Sequence, residues 1–242
     1  MKLINHSASI LRPSPKQKIL YLLVLSTLFN GLMLMFRLYK TEALGMPYDW
    51  HVSKVTGSPW IFMFLVWNLF LAWIPFLIAY NLEGIHNRFG RILSIPALLL
   101  WLLFLPNAPY IITDLIHLRV RPPLPLWYDT TMLFAFAWTG MMLGFFSLLY
   151  ARYYWEKFIH QKTTGLFVFG SLAMCSLGIY IGRFQRWNSW DILVNPGSLL
   201  QDVFQIMINP FENLRYFGIT FIFFCLLSLG YLMFKTLIKH HE

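Results

Sequence analysis

The sequence is short of charge. Only 12% of its 242 residues are charged, and ten are acidic; soluble domains carry roughly twice that charged share. Helices in water need a polar face, so this shortage excludes an ordinary soluble bundle. Cysteine is equally scarce. Cys175 and Cys225 each lie inside an apolar block, which argues against a disulfide framework or a thiolate metal site. Also missing are Gly-x-x-x-x-Gly-Lys, Gly-x-Ser-x-Gly, His-Glu-x-x-His and Gly-x-Gly-x-x-Gly, so no familiar nucleotide, hydrolase or metalloprotease chemistry is signalled. No internal repeat is visible, which removes one hallmark of many transporters.

What the chain has instead is apolar length. Hydrophobic residues make up 58% and aromatics 19%, gathered in uncharged blocks long enough to cross a bilayer. The expected fold is all-α, a polytopic integral membrane protein with six transmembrane helices. The spans are expected at about 19–36, 60–82, 92–112, 130–151, 163–182 and 216–234. They form one domain, 19–238, between basic tails at 1–18 and 239–242. The first span reads as an uncleaved signal anchor. Asn30 and Asn68 are expected as interhelical hydrogen-bond partners, and Gly140 with Gly144 as a site of close helix approach. The decamer 199–208 suits a short helix lying in the interface.

The net charge of +9 does not signal nucleic acid, because the basic residues sit in short segments between spans. Lys and Arg number 11 in residues 1–18, 83–91, 152–162 and 235–242. They number 8 in residues 37–59, 113–127 and 183–215. Positive charge favours the cytoplasmic side, so both termini are expected there. Residues 103–118, Asp129 and the long loop 183–215 then share the outer face.

Two stretches carry the polar chemistry. In the first, Pro106 and Pro109 interrupt the third span, with Asn107 between them and Asp114 and His117 beyond. A proline removes a backbone donor and frees a carbonyl. Lipid tolerates that only where other groups satisfy the carbonyls or the backbone lines a cavity. Asn107 is a candidate for either role, satisfying carbonyls or facing a ligand. Asp114 and His117, three apart, form a candidate acid/base pair or, with Asp129, candidate metal ligands. The plainer reading is that Asp114 pairs with an arginine. For Asp129, ahead of Thr130 and Thr131, a helix cap is the plainer role.

The second stretch is Gly182-Arg-Phe-Gln-Arg-Trp-Asn-Ser-Trp-Asp191. Arg183 or Arg186 pairs with Asp114 or Asp129 in the plainer reading; in the sharper one Arg183, Arg186, Asn188 and Asp191 form a cup for an anionic lipid or phosphorylated group. With Leu105-Pro-Asn-Ala-Pro-Tyr-Ile-Ile-Thr-Asp-Leu-Ile-His-Leu118, this motif resembles a bacterial integral membrane family, domain of unknown function 1361. The resemblance covers about Trp60 to Lys235. It implies a bacterial plasma-membrane protein and brings no activity, cofactor or catalytic residue. The functional expectation is an outer-face polar pocket acting on, or holding, a lipid or lipid-linked anionic group. The alternatives are an accessory or assembly component with a structural Arg–Asp cluster and, behind it, a transporter.

Overall fold

The computed structural model describes residues 14–41, 61–185, 187, 194–208 and 214–239. Among these the fold is all-α, with no strand. Five helical segments are long and apolar enough to cross a membrane: Pro15–Lys40, Met63–His117, Leu126–Phe158, Gln161–Gln185 and Leu214–Ile238.

Helix α1 spans Pro15–Lys40. Its start is closed by a reciprocal cap. Ser14 Oγ accepts from the Gln17 amide, and Gln17 Oε1 accepts from the Ser14 amide, with Pro15 in the first turn where no amide is needed. The helix thus begins earlier than the expected 19. Arg37 and Lys40 occupy its last turn, the favourable end for cations.

Helix α2, Met63–Phe104, contains Pro75, Pro96 and one non-helical residue, Gly90, at φ 66° and ψ −157°. Glu83–Arg91 is therefore helical apart from Gly90, and is not an open connection. Eight residues of straight helix rise about 12 Å, yet His86 Nδ1 lies 3.2 Å from Ser94 Oγ. The chain has folded back on itself at Gly90. The contacts with α4, Leu126–Phe158, show the reversal. Along the first arm, Phe76 meets Tyr150 and Glu83 meets Lys157. Along the second arm the order inverts, with Ser94 bonded to Tyr154 and Trp101 to Ser147.

Beyond Phe104 the regular helix yields. A four-residue helix α3, Asn107–Tyr110, follows a two-residue interruption, and a tighter 3-10 turn runs over Ile111–His117. The Asn107 amide donates to the Phe104 carbonyl at 3.0 Å, so it satisfies an oxygen at the interruption. Room for this segment comes from α4. A Cβ at Gly140 would stand 2.4 Å from the Ala108 carbonyl oxygen, and one at Gly144 would stand 3.4 Å from the Ala108 Cβ. The Gly140–Gly144 pair thus admits an interrupted segment of its own chain.

Helix α5, Thr164–Tyr180, ends in a wider π-helical turn, Ile181–Gln185. Helix α6, Pro196–Ile208, covers the decamer expected to be helical, and α7 spans Leu214–Lys239. Helix α4 is the central post. About two thirds of its most apolar window is buried, against 17% for α1 and α7. It contributes to both buried clusters, with Met132, Leu133 and Phe136 in one and Phe145, Leu148 and Tyr154 in the other. Exposed Leu25, Phe29 and Leu32 on α1, and Phe221 and Leu229 on α7, face outward. Such a rim is what lipid-facing helices present.

Candidate functional site

The segment after Pro109 brings Asp114 against two other elements. Asn68 of α2 donates to Asp114 Oδ2 at 2.7 Å. Arg183, in the π-helical turn after α5, forms an ion pair with Asp114 Oδ1. The Arg183 and Asp114 side chains are only 14% and 2% exposed. Two charges held so far from water need mutual contact and full hydrogen bonding.

Arg183 meets that demand on every side. Its Nε donates to Thr113 Oγ1 at 2.8 Å, and its Nη1 lies 3.4 Å from His117 Nε2. The Tyr110 ring lies beneath it, 4.6 Å from the guanidinium carbon. Thr113 is oriented in turn, its hydroxyl donating to the Tyr110 carbonyl at 2.6 Å. Tyr110 and Thr113 were not singled out by sequence. Their signal is spacing: residues 110, 113, 114 and 117 lie on one side of a turn of three to four residues. The approach depends on small residues. A Cβ at Gly182 would stand 3.3 Å from the Tyr110 ring, and one at Gly178 would stand 2.6 Å from Pro106.

His117 is exposed, with its ring 5.1 Å from that of Phe64. Its carbonyl accepts from Arg121, and Arg119 and Arg121 both lie within electrostatic reach of its ring. It is the accessible member of the group, while Asp114 is enclosed.

Asp129 does something other than cap. Helix α4 begins at Leu126, and Pro125 holds the capping position, so Asp129 lies inside the first turn. Its carboxylate accepts from Arg37 Nε at 2.8 Å and from Arg37 Nη2 at 3.3 Å. Arg37 also donates to the Arg121 carbonyl. Arg37 therefore belongs to the core of the bundle, and the loop expected to start there begins later. The sequence offers one clue, a lone arginine in the apolar run Leu-Met-Phe-Arg-Leu-Tyr. Asp114 and Asp129, both considered as metal ligands with His117, are thus each joined to an arginine. Among the described residues, no three His, Cys, Asp or Glu side chains gather as for a metal ion.

Asn30 and Asn68 both bond between helices, Asn30 to Thr139 Oγ1 at 2.8 Å and Asn68 to Asp114. Arg186, Asn188 and Asp191, and His51, lie outside the described residues. Arg183, Asp114, His117 and Asn107 are all placed, the first three in one cluster.

The chain matches no curated protein and no solved structure. One family does match, over residues 67–229, described as "Protein of unknown function (DUF1361)". The matched stretch reaches from Trp67, next to Asn68, through the Asp114–Arg183 cluster and into the last helix, which is more than half of the chain; the protein belongs to the DUF1361 family.

Proposed function

We propose that the chain crosses the membrane six times, with both termini in the cytoplasm of a bacterial cell, and that the Asp114 end is an outer-face pocket for a lipid or lipid-linked anionic group. The reversal at Gly90 supports the count, because it divides α2 into two antiparallel arms. The second arm, broken after Phe104, is the third crossing. The observation that carries the functional reading is the group of basic side chains beside the enclosed ion pairs. Asp114 and Asp129 are each spent on one arginine. Arg119, Arg121 and the exposed His117 stand beside them. Among the described residues, basic side chains beside an enclosed, neutralised pair suit phosphate or carboxylate at the headgroup level. In this reading Arg183 and Asp114 position, and His117 exchanges protons with the bound group.

The test is retention of anionic lipid by the purified protein. Arg119→Ala with Arg121→Ala should lower retained phosphatidylglycerol or polyprenyl phosphate at least about tenfold, a loss equivalent to 1.4 kcal/mol, with thermal stability unchanged. Equal retention refutes the pocket. One observation favours a second reading, an accessory component with a structural cluster: all three nitrogens of Arg183 already have partners. In that case Arg183 and Asp114 variants lose stability, and the Arg119 and Arg121 variants change nothing.

A further inference from the structure

The opposite end of the bundle holds a second polar feature. An open cleft of about 390 Å³ lies between α1, the first arm of α2 and α4, lined chiefly by Lys16, Glu83, Tyr150, Tyr153, Glu156 and Lys157. Its depth follows from helix rise. Glu83 lies fifteen residues beyond Asn68 on one arm, about 22 Å, and Tyr150 lies twenty-one beyond Asp129 on α4, about 32 Å. Those separations bracket a hydrocarbon core near 30 Å thick, so the cleft opens at the headgroup level of the other leaflet.

The lining is charge-balanced, with two lysines and two glutamates. Lys157 pairs with Glu83 at 3.1 Å, and Arg152 pairs with Glu156 at 3.2 Å. Lys16 donates to the Tyr80 carbonyl and sits 4.2 Å and 5.3 Å from the Tyr80 and Tyr150 ring centroids. The Tyr150 hydroxyl is buried and has no hydrogen-bond partner. A buried hydroxyl left alone is costly, so a hydrogen-bonding group that enters the cleft would gain the Tyr150 hydroxyl as a partner. That group must sit among both signs of charge.

We propose that this cleft binds the phosphoethanolamine headgroup of a phospholipid. The phosphate lies toward Lys157 and Lys16 and accepts from the Tyr150 hydroxyl. The primary ammonium donates to Glu156 and rests near the tyrosine faces, where cations are favoured. A purely anionic headgroup would meet two carboxylates with nothing to offer them. A choline headgroup carries charge but no N–H, so it could not hydrogen-bond to Glu156.

The experiment is native mass spectrometry of the purified full chain. It is titrated with dioleoyl phosphatidylethanolamine, phosphatidylcholine and phosphatidylglycerol, and separately with soluble phosphoethanolamine. The ethanolamine lipid should bind at least fivefold more tightly than the other two lipids and than the soluble headgroup. Tyr150→Phe, which breaks no bond within the protein, should remove most of that preference at an unchanged melting temperature. Glu156→Gln serves as the second variant and should do the same. Equal binding of the three lipids overturns the proposal, as does a preference for phosphatidylglycerol. Soluble phosphoethanolamine binding as tightly as the lipid overturns the lipid source. A preference retained in both variants overturns the assigned contacts.

Discussion

Replacing Asp114 with asparagine probes the ion pair that ties the turn after α5 to the interrupted segment. The substitution keeps the shape and an oxygen that can still accept from Asn68, but it removes the charge and turns an NH2 in place of the acceptor toward Arg183. Arg183, 14% exposed, is then left with its bonds to Thr113 and His117 and no counter-charge. Stripping one partner from a buried ion pair costs about 3–5 kcal/mol, because the remaining charge is neither hydrated nor neutralised. At about 2–4 °C per kcal/mol for a chain of this size, the melting temperature should fall by about 6–20 °C. The assay is thermal unfolding of the purified protein in detergent, followed by tryptophan fluorescence. The decisive arm is Asp114→Asn with Arg183→Gln. Removing both charges abolishes the unpaired cation, so the double variant should be no less stable than the worse single one. If the two losses simply add, to within about 0.5 kcal/mol, the two groups are not coupled. The clamp would then not hold this end together.

The same unfolding assay reads two glycines. Gly140→Ala would push a methyl group to 2.4 Å from the Ala108 carbonyl and 2.9 Å from Ile111 Cδ1, and should cost about 1–3 kcal/mol. Gly31→Ala, with open space around it, should be neutral or slightly stabilising; equal losses at the two sites would mean that α3 does not pack on α4. Gly90→Ala forces a side chain into φ 66°, and should cost about 1–2 kcal/mol, whereas Gly84→Ala six residues earlier should not. For topology, single cysteines replacing Ser14, Arg88 and Val120 in a cysteine-free background should react with an impermeant maleimide. Positions 14 and 88 should label from one side and position 120 from the other. Labelling of 88 and 120 from the same side would rule out the reversal at Gly90 as a pair of crossings.

The polar end of the fold was legible where chemistry is local. Two prolines three apart in an apolar run remove two backbone donors. Asn107 between them is short enough to reach the carbonyl that the interruption leaves open. Arg183 directly after Gly182 is poised to reach back across the bundle, and Asp114 was among its named partners. Arg37 escaped notice because α1 was expected to end before it, so a buried arginine looked like a loop cation. The capping role expected of Asp129 failed for the same reason. Helix α4 starts three residues earlier, at Leu126, and a carboxylate inside the first turn points sideways toward a neighbour instead of back over its own amides. Glu83–Arg91 misled in the opposite direction. Its polar residues suggested an open loop, but a reversal needs only one left-handed residue, and Gly90 supplies it while the flanks stay helical.

These three cases have a common cause. Polar residues near the ends of a span satisfy a sequence reading equally well inside the helix or outside it, because the bilayer penalises charge only where no partner is present. Arg37 and Asp129 have side chains 3% and 1% exposed, and each is acceptable there only because of the other. Neither helix end can therefore be placed from its own composition. The pairing across 92 residues of chain sets both ends at once, together with the loop beyond Arg121, whose carbonyl takes the second Arg37 bond. Breaking that pair should move helix ends as well as lower stability. In Arg37→Gln, amide exchange should rise in residues 37–41 and 121–129 together; a rise confined to one of the two segments would mean that the ends are set separately.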